Sequence, residues 1–387
     1  MTNIPGLTGN IAYLGLIFAL IVIPRALQRF RLPAALSSFG LGMVAVTLVA
    51  GALHDPTLAL LSTLGISSLF LFAGLDVDIE SLVRGLRPLL GHLLVGSVAL
   101  AGCAWIGIRY YGFAPDTATL LALAVLTPST GFILEVLPAL GLDADERFWV
   151  AIKAVGGEIL ALLVAFVVLQ SGSAAQLESS SLVIVLMIFG IPLLLHWLVR
   201  LVVPYAPGSE FSLLVMVGLV AAFLTERLGI NYLFGAFLAG FIARRLRSRM
   251  PKLASDENLR AIQLFASFFI PFYFFRAGMS VPATALTWQS LQLGLILSAV
   301  LLPARIAVIW VQRRFIKGET AIGSLKVATA LAPTLIFTLV LAAILRSRYH
   351  ISDTLYGGLL VYAAVSTLLP AVALTRRADT STSAASP

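Results

Sequence analysis

Charge is what this sequence has least of. Only 11% of its 387 residues are charged while 59% are hydrophobic, against roughly 25% charged in ordinary soluble domains, so a soluble enzyme of usual composition is excluded. There is one cysteine, Cys103, inside an apolar run; a single thiol excludes an intramolecular disulfide. Histidine is also scarce, with four in the chain, and no metal-ligand cluster, phosphate loop, haem motif or nucleophile triad can be read. Neither a cofactor nor an enzyme activity is expected. The amino end, MTNIPGLTGN, lacks the basic start of a cleavable signal peptide and reads as the mature end.

What remains is apolar runs of membrane-spanning length, repeated along the whole chain. They define an all-α polytopic membrane protein of about 13 transmembrane helices, with spans near 10–25, 32–53, 57–75, 87–109, 117–140, 146–170, 181–203, 211–228, 231–247, 259–281, 286–312, 319–345 and 353–375. The net charge of +8 invites a nucleic-acid reading, but the positive residues sit in short loops between spans, where they set orientation instead. With the amino terminus outside, 18 Lys and Arg fall in inside loops and 4 in outside loops, and Lys153, Arg276, Arg305 and Lys326 lie within spans. This bias predicts N-out, C-in, and the odd span number agrees.

Two short motifs recur. Phe72-Ala-Gly-Leu in the third span resembles Arg276-Ala-Gly-Met in the tenth, and Leu126-Thr-Pro-Ser-Thr in the fifth resembles Leu331-Ala-Pro-Thr-Leu in the twelfth. Gly74 to Gly278 is 204 positions and Pro128 to Pro333 is 205, so one register holds both pairs. Each pair is seven spans apart, an odd offset that reverses the direction of entry. The expected organisation of transmembrane domain 1–375 is therefore two inverted repeats, 10–170 and 211–375, joined by a connector helix at 181–203, with a short disordered tail at 376–387. Inverted repeats with broken helices at matching positions are characteristic of secondary transporters.

Glu158 is the residue that most needs explaining. In the stretch DERFWVAIKAVGGEILALLVAFVVLQSG it lies roughly 18 Å beyond Glu146 at 1.5 Å per residue, near the centre of a hydrocarbon layer ~30 Å thick. An acid at that depth costs a few kcal/mol or more and is kept mostly where it binds, carries protons or pairs. Glu158 therefore reads as an ion or proton site in preference to a structural carboxylate, and Gly156 and Gly157 leave its surroundings open. Thr127-Pro128-Ser129-Thr130 interrupts the fifth span and Pro333-Thr334 the twelfth. Proline frees carbonyls, and nearby hydroxyls either ligate a cation or satisfy them; at repeat-related positions the two breaks predict crossed, unwound helices beside Glu158.

The remaining buried charges have open assignments. Arg305 must find an anion or carbonyls, with Glu158 the obvious candidate. Lys153 precedes Glu158 by five positions, about 140° around the helix, so the two should not share a face and snorkelling to the inner interface is open to it; Glu135, about two turns beyond the fifth-span break, is either a vestibule charge or its partner. Arg276, flanked by PFYFF and AGM, makes a structural bond to carbonyls or contacts substrate. Lys326 is close enough to its span end to snorkel, and His92 and His196 read as packed or hydrogen-bonded groups.

Three stretches, FLFAGLDVDIESL at 70–82, LFGAFLAGFIA at 233–243 and FYFFRAGMSV at 272–281, resemble the third-, ninth- and tenth-span signatures of Kef-type and related bacterial monovalent cation/proton antiporters. The resemblance covers nearly all thirteen spans. It implies exchange of Na⁺ or K⁺ for protons in a bacterial inner membrane, a likeness to homodimers, a core domain of spans 4–6 and 11–13, a dimerisation domain of spans 1–3 and 8–10, and an elevator-like motion between them. It places Glu158 at the family's ion-binding aspartate, Gly157 where the family has Asn, Gln or a second Asp, Arg305 at its core-domain Lys or Arg, and Thr127 to Thr130 at its crossing-helix break. Pro333-Thr334 replaces Gly-Glu of Kef-type chains, Arg276 replaces a small residue, and no nucleotide-binding regulatory domain is read. Two rivals stay open: a sodium-coupled organic-anion symporter of the same general fold, with Arg276 holding the anion, and a channel-like or non-transporting protein in which Glu158 and Arg305 pair permanently.

Overall fold

The computed structural model describes residues 5–30, 32–48, 55–77, 79–227, 232–248, 253, 255–316 and 318–374. The predicted tail and the Glu135 side chain lie outside the described residues. Among those described there is no strand; the chain forms α1 (Pro5–Gln28), α2 (Ala34–Leu48), α3 (Pro56–Leu75), α4 (Ile79–Arg84), α5 (Leu86–Tyr111), α6 (Pro115–Leu126), α7 (Thr130–Val136), α8 (Ala144–Gln170), α9 (Ala174–Leu201), α10 (Glu210–Arg227), α11 (Tyr232–Arg245), α12 (Asp256–Met279), α13 (Trp288–Val311), α14 (Ala321–Ala330), α15 (Leu335–Tyr349) and α16 (Asp353–Ala373).

Among the described residues, each predicted stretch holds a helix, with the fifth and twelfth each divided in two. By length and composition, eight helices qualify as membrane spans, or nine when the bent pair α14–α15 counts as one, among the described residues. The thirteen spans read from the sequence are not all reached by this measure. The described apolar parts of α1 and α2 are too short, α10 has 18 residues but carries Glu210, Glu226 and Arg227 at its ends, and α11 has only 14 residues.

Local signals fix the helix ends. Proline opens α3 and α6 at positions where its missing N–H is not needed. A capping box opens α8: Glu146 N–H donates to Asp143 Oδ1 at 2.8 Å, and Asp143 N–H to Glu146 Oε2 at 3.0 Å. Ser173, Ser255, Thr287, Thr320 and Ser352 cap α9, α12, α13, α14 and α16 through their side chains.

The helices sort into two packing groups. In one, α2 and α3 lie against α12, α3 also against α11, and α10 against α11; in the other, α5, α6, α7 and α8 pack with α13, α14, α15 and α16. Helix α9 touches α8, α10 and α11. Lipid provides no hydrophobic drive for such contacts, so close backbone approach matters. A Cβ at Gly74 would collide with the Phe237 carbonyl and one at Gly240 with that of Leu71, locking α3 to α11. Gly42 and Gly278 do the same between α2 and α12, against Phe275 and Phe39. The two groups meet along an apolar seam, where Phe70 of α3 stands edge-on to Phe337 of α15 at 6.3 Å and Leu69 lies against Gly131 of α7.

Candidate functional site

The two chain breaks do meet, and they are joined to each other. After α6 the backbone is extended at Thr127 (φ −75°, ψ 124°) and at Ser129 (φ −90°, ψ 92°) before α7 begins. Between α14 and α15 the axis turns by 42°. The Ser129 N–H donates to the Pro333 carbonyl at 2.9 Å, and the Ser129 hydroxyl oxygen accepts the Ile336 N–H at 2.9 Å. Thr338 donates its hydroxyl to the Ala124 carbonyl at 2.7 Å, and the Thr334 and Ser366 hydroxyls are 3.1 Å apart. Backbone groups that proline leaves without helical partners are thereby satisfied from the opposite segment, as a non-aqueous setting demands.

Glu158 sits on α8 beside this crossing and is 3% exposed. Its Oε2 accepts the backbone N–H of Thr130 at 3.1 Å, at the first turn of α7, where the helix dipole favours negative charge. The Thr130 hydroxyl lies by the same carboxyl group yet closes no hydrogen bond among the described residues. Thr127 is buried next to the break. Gly157 explains how α8 comes so close: a Cβ there would stand 3.2 Å from Cγ and 3.3 Å from Cδ of Pro128. The missing side chain thus makes room for the broken strand of helix.

Arg305 is bonded elsewhere than to Glu158. Its Nη1 donates to the Ala332 carbonyl at 2.9 Å and to the Tyr362 hydroxyl at 3.0 Å, and Nη2 to the Leu331 carbonyl at 3.2 Å. Tyr362 passes the link on, donating to the Val125 carbonyl of α6 at 2.6 Å. Of the two partners the sequence leaves open, anion or carbonyls, the structure gives carbonyls. Leu331 and Ala332 follow directly on the C-terminus of α14, the negative end of its dipole, where carbonyls lack helical donors, so a guanidinium fork fits them well. Both breaks therefore hold a complementary charge, Glu158 at the start of α7 and Arg305 at the end of α14.

Lys153 does not snorkel. It is 2% exposed, and its Nζ donates to Gln312 Oε1 at 3.5 Å, an oxygen that also lies 3.2 Å from Nδ1 of His92. Lys326 does reach outward, 3.9 Å from Glu146 with its side chain 39% exposed. Beyond Gln312, buried Arg313 pairs with Glu319. Arg276 stands apart from the crossing, at the end of α12, half-buried and with a buried Nε that has no hydrogen-bond partner among the described residues. Tyr362, Thr338, Ser366 and Gln312 join these networks without standing out in the sequence. Their signal was the one used for Arg305: a polar group at membrane depth must find a partner.

The family model described as "Sodium/hydrogen exchanger, transmembrane" matches residues 15–376. The chain belongs to that family. Among curated relatives of this exchanger-family chain, "K(+)/H(+) antiporter 1" of Saccharomyces cerevisiae is 27% identical over 261 residues, which is 60% of this chain and 29% of the yeast protein. "Probable Na(+)/H(+) antiporter 3" of Methanocaldococcus jannaschii is 24% identical over 266 residues, covering 67% of this chain and 68% of the relative. The "Na(+)/H(+) antiporter" of Enterococcus hirae is 22% identical over 354 residues, covering 88% and 91%. Among solved structures, that of the sodium proton antiporter MjNhaP1 from Methanocaldococcus jannaschii superposes with a TM-score of 0.69 at 14% identity, covering 95% of this chain and 96% of that one. The fold is shared with it: an all-helical, multi-pass membrane protein.

Proposed function

We propose that this chain exchanges Na⁺ or K⁺ for protons across the membrane, with Glu158 as the site the two compete for. The observation that carries this is a buried carboxylate held by one backbone N–H at the crossing of two broken helices, beside an unengaged Thr130 hydroxyl. The carboxylate either takes a proton or binds a dehydrated cation, whose remaining shell comes from Thr127, Thr130 and the second lone pairs of backbone carbonyls at the breaks. An empty, charged carboxylate would cross the barrier only at a large desolvation cost. Crossing only when occupied is sufficient for exchange.

Arg305 has a different part in this scheme from pairing with Glu158. By holding Leu331, Ala332 and, through Tyr362, Val125, it keeps the crossing rigid while Glu158 changes occupancy. The apolar seam between the two packing groups suits movement of the Glu158-bearing group past the other, as in an elevator. Reciprocal glycine contacts, α3 with α11 and α2 with α12, relate spans three and nine to spans ten and two, which supports the inverted-repeat reading. A homodimer built on the α1–α3 and α10–α12 group, and an inner-membrane placement with the amino end outside, complete the proposal. A reporter fused after Arg377 then reads as cytoplasmic.

The test is transport by purified protein in liposomes under an imposed pH gradient, scanning Li⁺, Na⁺, K⁺ and Rb⁺. Glu158→Gln abolishes cation-dependent proton movement and leaves thermal unfolding near wild type, because an amide cannot alternate between acid and carboxylate. Normal exchange by Glu158→Gln overturns the assignment. Labelled organic-anion uptake that depends on Arg276 would favour symport instead.

A further inference from the structure

A groove of about 760 Å³ lies between α13, α14 and α16, away from the residues that hold Glu158. Small residues hollow it out, Pro303 and Ala307 on α13 and Ala321 on the first turn of α14, and Ile322, Leu369 and Trp310 help line it. The surrounding surface belongs to hydrocarbon: α13 is a candidate span of mean hydropathy 2.1, and Ile296, Val300 and Val308 on it are exposed. An open groove of that apolarity in a membrane is filled by an acyl chain rather than by water.

One end of the groove differs from the other. Trp310 is fixed there by donating its indole N–H to the Ala321 carbonyl at 3.0 Å. Phe315, 74% exposed, stands edge-on to it at 6.3 Å, an aromatic ledge of the kind found at headgroup level. Arg314 precedes Phe315 in the chain and is exposed. Its Nη1 donates to the backbone carbonyl of Glu319 at 2.9 Å, while the Glu319 carboxylate pairs with buried Arg313. The Arg314 guanidinium is thus held at Glu319, two residues before Ala321 of the groove wall, with its charge exposed and able to attract an anionic headgroup.

We propose that the groove binds one acyl chain of an anionic phospholipid whose headgroup rests on Arg314. The bound chain lies against Pro303 and Ile306, the turn of α13 that carries Arg305, and so braces the three helices that Arg305 and Tyr362 tie together. This inference does not depend on which ion is transported.

The experiment titrates detergent-solubilised protein with phosphatidylglycerol or phosphatidylcholine brominated on the acyl chains, and follows tryptophan fluorescence. With five tryptophans in the chain, Trp310→Phe isolates the Trp310 signal by difference, and Trp288→Phe isolates in the same way that of the exposed Trp288, the bulk-lipid reference. Brominated phosphatidylglycerol is expected to quench Trp310 at a mole fraction at least fivefold below that needed with phosphatidylcholine. Arg314→Gln brings the two lipids together, and Ala307→Leu, which fills the slot from an exposed position, moves phosphatidylglycerol quenching up by fivefold or more. Where Trp310→Phe fails to fold, retention of phosphatidylglycerol over phosphatidylcholine in native mass spectra of wild type, lost in Ala307→Leu, gives the same answer. Equal quenching by both lipids, in step with Trp288, overturns the proposal. So does a phosphatidylglycerol preference that Ala307→Leu leaves untouched.

Discussion

The Arg305 guanidinium donates to the Ala332 carbonyl across 2.9 Å, not to the Glu158 carboxylate. Glu158 takes its hydrogen bond from the Thr130 backbone instead. Acid and base at the crossing are each matched to a helix end, the acid to the start of α7 and the base to the finish of α14. Separate partners give separate mutational consequences.

Arg305→Ala is expected to lower stability more than it alters pH dependence. Removing the guanidinium strips donors from two backbone carbonyls and from Tyr362, and a buried acceptor left open costs about 1–3 kcal/mol. A loss of about 3 kcal/mol or more should appear as a lower thermal unfolding midpoint in detergent. Tyr362→Phe, which removes the link to Val125, should cost about 1–3 kcal/mol. In liposomes the pH midpoint of any exchange retained by Arg305→Ala should stay close to wild type. A large acid or alkaline displacement would mean that Arg305 acts on Glu158 after all.

Gly157→Asn restores a polar side chain beside the acid but sets a Cβ 3.2 Å from Cγ of Pro128. Overpacking of this kind typically costs about 1–3 kcal/mol. Pro128→Ala in the same chain should recover most of that loss, because the colliding ring is gone. Unfolding midpoints of the two single variants and the double variant measure it; strictly additive losses would place the strain elsewhere.

The positions of helices and breaks were legible because they follow from short-range rules. Apolar run length gave the helices, and Pro128 and Pro333 gave the interruptions. Glu158 was legible as well, since a carboxylate amid 20 apolar neighbours needs a reason wherever it folds. Partners were harder. Arg305 meets Leu331 and Ala332 only because α13 lies along α14, and a sequence does not state that geometry. The hydroxyls of Ser129 and Thr334 read from the sequence either as cation ligands or as partners for freed backbone groups; Ser129 accepts the Ile336 N–H across the crossing, while Thr334 bonds to Ser366 of α16 and to Thr338 one turn on in its own helix. A short polar side chain at a break serves backbone and ion equally well, so composition alone leaves the choice open. Lys153, for which the sequence allows snorkelling or a pairing with Glu135, is buried and donates to Gln312, 159 positions away, while the Glu135 side chain lies outside the described residues.

That lysine supplies a coupled prediction. Gln312→Leu keeps the packing volume but removes the amide oxygen next to both Lys153 and His92. Leaving a buried ammonium short of an acceptor should destabilise the fold by about 1–3 kcal/mol. In a Lys153→Met background the same Gln312→Leu change should cost much less, and the interaction energy from the four-protein cycle should be about 1 kcal/mol or more. An interaction near zero would show that the 3.5 Å contact carries no energy.

His350 is the one non-glycine residue among those described with positive φ, at φ 52° and ψ 40°, where α15 ends. The Ile351 N–H there donates to the Leu345 carbonyl at 3.4 Å, a closing turn that glycine normally makes because it has no Cβ to meet the following carbonyl. His350→Gly should therefore stabilise the protein by about 0.5–1 kcal/mol. His350→Val puts a β-branched residue into the same left-handed geometry and should cost about 1–2 kcal/mol. Unfolding midpoints that rise for glycine and fall for valine fit backbone strain. A fall for both would mean that the imidazole itself, on the wall of a cavity of about 450 Å³ with Arg346, Asp353 and Tyr356, contributes more than the strain removes.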